Sequence, residues 1–101
     1  MFVLVLTYVR PLEEVDRLID GHRAYLDRNY AAGRFVVSGR REPRTGGVIL
    51  ARSSSAAEIE AVIAEDPFSQ QGVAEYEVIE FLPGTWADGF AGFVAPTVAE
   101  M

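Results

Sequence analysis

Residues 2–9, FVLVLTYV, constrain this chain more than any other stretch. Phe2, Leu4, Leu6 and Tyr8 fall on one face of an extended segment, and Val3, Val5 and Val9 on the other. Such β-branched and aromatic enrichment reads as a strand. Apolar residues on both parities mean a strand that wants cover on both faces. The chain has 101 residues, enough for one domain and not for two. The question is whether one small domain can supply cover twice.

The rest of the chain sets the cover. Pro11 suits the first turn of a helix, with Glu13 and Glu14 near its positive end. This helix is expected to run to about Ala32 and stop at Gly33. Its apolar stripe is Leu12, Val15, Ile19 and Leu26, and Gly21 is a mid-helix weakness of roughly 1 kcal/mol. Residues 34–40 and 46–51 read as two strands around a turn-forming REPRTG, hence an antiparallel hairpin. A second helix follows, with Ser55 and Glu58 in capping-box spacing and Ile59, Val62 and Ile63 facing inward. The triplet Asp66-Pro67-Phe68 precedes a short turn, and residues 73–82 form a fourth strand.

The order βαββαβ predicts an α+β, ferredoxin-like sandwich with an antiparallel sheet. Its two helices cover one sheet face. The other face carries one parity of the first strand plus either Ile79 and Phe81 or Tyr76 and Val78, and nothing in the chain covers it. The simplest solution is a homodimer, two sheets packed face to face. Residues 83–101, with Trp86, Phe90 and Phe93, form an extension expected to pack on the domain or on the dimer partner.

Composition removes several chemistries. There is no cysteine, so no thiol nucleophile, disulfide or thiolate metal site. All nine basic residues are arginine, so lysine Schiff-base chemistry is excluded. One histidine and no His-x-x-x-His spacing argue against a metal site. The net charge of −6 argues against general affinity for nucleic acid or anionic lipid. No phosphate loop or dinucleotide fingerprint is present, so no cofactor is expected. No apolar run approaches the roughly 20 residues that span a bilayer, and the start lacks a signal-peptide pattern, so a cytoplasmic location is the expectation.

The one histidine, His22, falls in the middle of the first helix's apolar stripe, a turn from Leu18 and Leu26. It reads either as a buried neutral ring satisfied by a carbonyl or water, or as a general acid or base with a pKa suited to neutral pH. Asp66 before Pro67 is an ordinary N-cap and N1 pair, yet one carboxylate oxygen could cap while the other bonds an imidazole N–H. Ser38 reads as a strand-end turn residue, a ligand hydrogen bond or a nucleophile, without a nucleophile-elbow motif. Arg40, Arg41 and Arg44 read as a solvated hairpin, or as holders of a carboxylate or phenolate. Tyr25, Phe68 and Tyr8 fit core or pocket wall better than acid catalysis.

HRAYL on the first helix, VVSG ending the second strand, and DPF after the second helix, in this order, resemble the YciI-like (YCII-related) family of small bacterial proteins. The likeness covers about residues 1–82. It implies a dimeric α+β barrel and a pocket with a His–Asp pair, carried here by His22 and Asp66, with Ser38 and Gly39 at the second strand's end. The expectation is a homodimer, possibly a higher oligomer, that binds a small molecule. It is either a cofactor-free isomerase or lyase moving a proton on a cyclic or aromatic acid, with Ser38, Gly39, Arg40, Tyr25 and Phe68 at the ligand, or a non-catalytic ligand-binding or accessory protein. A third possibility is a structural dimer with the pair as a buried polar pin.

Overall fold

The computed structural model describes residues 1–94. Four strands, β1 (Phe2–Tyr8), β2 (Phe35–Arg40), β3 (Gly46–Ala51) and β4 (Ala74–Glu80), form one sheet in the order β2-β3-β1-β4. Every pairing is antiparallel. This is the expected ferredoxin-like α+β arrangement, with β2 and β3 as the hairpin. Between the strands lie α1 (Leu12–Arg17), α2 (Ile19–Ala31), α3 (Ala56–Ile63) and the single turn α4 (Pro67–Gln70).

Register decides which residues face the helices. Leu4 pairs with Ile49 and Val78, and Leu6 with Gly47 and Tyr76. Directly opposed residues share a face, so Tyr76 and Val78 lie on the helix side. Phe2, Leu4, Leu6 and Ile49 are buried there with Val15, Tyr25, Ile59, Val62 and Phe68. Burying one such large side chain contributes about 1.5–3 kcal/mol. On the other face, Val3 pairs with Leu50 and Ile79, Val5 with Val48, and Val37 with Leu50. Among these, Val37 is 56% exposed and Ile79 47%.

The single helix expected over 11–32 is two helices. Leu18 leaves helical geometry at φ −106° and ψ 2°, and its N–H bonds back to Val15 in a tighter turn. Nothing in the residue types marks the break. Gly21 is more than a weak point: a Cβ there would sit 3.2 Å from Pro67 Cγ, so the glycine lets α4 press against α2. Gly33 takes the left-handed conformation expected of the residue ending this segment, φ 77°. Ser55 caps α3 by accepting from the Glu58 N–H, while the Glu58 carboxylate accepts from Ser53 rather than closing a capping box. Beyond β4 the chain makes a short 3₁₀ turn (Asp88–Phe90) and α5 (Ala91–Val94). Arg52 donates to the Gly92 carbonyl, and Val94 is buried. The remainder of the anticipated extension, 95–101, lies outside the described residues.

Candidate functional site

Asp66 is fully buried and stands at the N-terminus of α4. An isolated buried carboxylate is costly unless hydrogen bonds compensate it. Here three donors from three elements do so. Oδ1 accepts from the Phe68 backbone N–H at 3.0 Å, which is the N-cap bond. The same oxygen lies 2.8 Å from His22 Nδ1 on α2. Oδ2 accepts a short hydrogen bond from the Tyr76 hydroxyl on β4. Asp66 therefore both caps α4 and meets the imidazole, but through the one oxygen Oδ1 rather than one oxygen for each as expected, because Tyr76 occupies Oδ2.

His22 is held on a second side. Its ring stacks on Phe68 with centroids 4.0 Å apart and planes 5° from parallel. The carboxylate and the phenyl ring together fix the imidazole plane. With Nδ1 bonded to Asp66, Nε2 is the nitrogen left for a ligand. The His22 side chain is 12% exposed and lines a cavity of about 270 Å³. That is just below the roughly 300–1,000 Å³ of pockets for drug-sized ligands, a size for one ring and its substituents.

The cavity opens between α2 and the β2–β3 end of the sheet, over Phe68 and Tyr8. Glycines form part of its wall. Gly39, Gly46 and Gly47 line it, and at Gly46 no side chain is possible, since a Cβ would fall 1.8 Å from the Leu6 carbonyl oxygen. Ser38, Gly39, Arg40 and Phe68 all border this space. The Ser38 hydroxyl is hydrogen-bonded to the Tyr30 hydroxyl and lies on no base. Tyr25 departs from expectation. It is fully buried behind His22, against Phe35, and does not border the cavity. A tyrosine at position 25 follows the core side of α2, so its ring enters the core instead of the pocket. The arginine cluster also divides. Arg40 reaches the cavity, whereas Arg41 bonds Thr7 and Arg44 pairs with Asp16.

Two residues escaped the sequence reading. Tyr76 was visible only as one of two possible outward parities of β4; its register opposite Leu6 puts it inside, on Asp66. Arg23 lines the cavity although it lies off the apolar stripe of the helix. Electrostatics around Asp66 are asymmetric. Burial, reinforced by the Asp66 carboxylate, holds the Tyr76 hydroxyl far above its ordinary range, so it stays a donor. Burial likewise pushes Tyr25 up to about 12. Tyr25 and Tyr76 are near enough to interact, but the buried Tyr25 hydroxyl makes no hydrogen bond of normal geometry.

Among curated proteins, none matches the sequence. Among solved structures, the chain is similar to 5-chloro-2-hydroxyhydroquinone dehydrochlorinase (TftG) from Burkholderia phenoliruptrix AC1100, in complex with 2,5-dihydroxybenzoquinone. The TM-score is 0.69 at 23% identity, covering 83% of this chain and 96% of that one. At that identity the likeness speaks to the fold. The sequence itself matches the YCII-related domain over residues 1–82, most of its length, and the chain belongs to that family.

Proposed function

We propose that this protein is a cofactor-independent small-molecule enzyme of the isomerase or lyase type, in which His22 and Asp66 move a proton on a cyclic or aromatic acid. One observation carries the reading: a lone imidazole, its Nδ1 taken by a buried carboxylate, borders a ring-sized cavity. Asp66 holds the proton on Nδ1 and leaves Nε2 as a base, the arrangement used in hydrolytic triads. Nε2 takes a proton from substrate carbon or hydroxyl. The electron pair released either shifts a double bond, with reprotonation elsewhere, or expels a leaving group with its own pair. Neither route needs an oxidant. The similar dehydrochlorinase, named for a ring substrate that loses chloride, lends support to the elimination branch. We further propose that it works as a homodimer joined through the exposed sheet face.

The test is a panel of ring acids and halogenated hydroxyquinols, read by ultraviolet change, chloride release and deuterium incorporation. The wild type is expected to turn over at least one. His22→Ala should lose that turnover and keep the fold. A variant that binds and converts the same compound at the wild-type rate would overturn the assignment. Ligand binding with no conversion by the wild type would favour the non-catalytic binding role.

A further inference from the structure

The cavity is built with a charge bias opposite to that of the molecule. The chain carries 15 acidic against nine basic residues. Yet no Asp or Glu lines the cavity, while Arg23 and Arg40 both do. Arg23 directly follows His22 and comes from the helix wall; Arg40 ends β2 and comes from the sheet wall. The Arg23 side chain has no hydrogen bond or ion pair among the described residues. Among the described residues Arg40 is engaged only by Glu42, at 3.0 Å, in a pair whose side chains are 71% and 75% exposed. Pairs this exposed contribute little and exchange readily for a better anion. Asp66 lies behind the imidazole, and its charge would repel an anionic ligand unless cations offset it.

We infer that Arg23 is the specificity-determining residue of this site, selecting a small planar anion, with Arg40 as a second anchor released from Glu42 when that anion binds. A guanidinium fork matches the geometry of a carboxylate or a pair of ring oxyanions. Anchoring the charge toward the rim leaves the ring carbons over His22. The inference shares with the proposed function the premise that the cavity is the ligand site, but it does not depend on the reaction.

Benzoate and benzamide are the probes, equal in shape and different in charge, with binding followed by amide chemical-shift changes around residues 22–23 and 38–40. Wild type is expected to bind benzoate at least about tenfold more tightly than benzamide, the difference between a charge-assisted and a neutral hydrogen bond. Arg23→Gln should remove most of that preference. Glu42→Gln should do the opposite and tighten benzoate about twofold, by freeing Arg40 from a weak surface pair. Rising salt should weaken benzoate and leave benzamide unchanged. Equal binding of both probes, or a preference that survives Arg23→Gln, would overturn the anion selectivity alone. Binding of neither probe at millimolar concentration would overturn it together with the premise that this cavity is the ligand site.

Discussion

The two faces of the sheet are made from the same strands and solve opposite problems. On the helix side, Leu4 and Leu6 are buried and the apolar core accepts one carboxylate, Asp66, because three donors meet it there. On the far side, Val37, Val48 and Ile79 stand exposed, beside Glu77 opposite Val5. The difference teaches that polarity inside and apolarity outside are both departures from the simple rule of burial. The first is compensated within the chain. The second is not compensated by the described residues.

This contrast is breakable. The largest effect should come from Asp66→Ala, which removes the cap of α4 and leaves the Tyr76 hydroxyl and an imidazole N–H without an acceptor; about 3–4 kcal/mol of stability should be lost in urea unfolding. A loss under about 1 kcal/mol would mean that the inner polar cluster is not part of what holds the core. On the outer face, Val37→Glu should leave the folding of one chain within about 0.5 kcal/mol, as for ordinary surface changes, while separating a dimer in sedimentation velocity. A wild type that sediments as a monomer would break the outer half of the comparison.

Alkaline titration probes the inner face more gently. The folded pKa of Tyr25 and of Tyr76 lies above the unfolded value, so the folded state keeps protons that the unfolded chain releases. Their contribution is therefore complete below about pH 10 and declines as pH rises past it. Phenolate absorbance should show a late component near pH 12 that disappears in Tyr25→Phe. The smallest expected effect is that of Gly21→Ala. A helical alanine would ordinarily add about 1 kcal/mol, but the new methyl meets Pro67 at 3.2 Å, so the measured gain should fall short of that figure.

Much of this architecture could be read from residue types because it rests on local rules. Ser55, Gly33 and Asp66 each carry a capping signal that acts over three or four residues, and each acts where the pattern put it. The meeting of His22 and Asp66 was open to inference for a different reason: a titratable ring in an apolar stripe requires a partner, and the family resemblance pointed to Asp66 as that partner. What stayed hidden depends on register or on small rotations. Tyr76 could have faced either way until β4 paired with β1. Arg23 sits about 100° around α2 from His22, a position that pattern alone assigns to solvent. Tyr25 was misplaced by the same uncertainty, one side of the helix being core and the adjoining side cavity. The interruption at Leu18 has no residue-level signal, since the apolar stripe passes through it unbroken.

A single atom, Asp66 Oδ1, receives both the Phe68 amide and the His22 ring. The helical turn and the imidazole's proton placement thus have a common acceptor. Any loosening of that turn withdraws the group that orients the ring, so local order and the placement of Nε2 rise and fall together. Replacing this side chain to adjust one property necessarily disturbs the other.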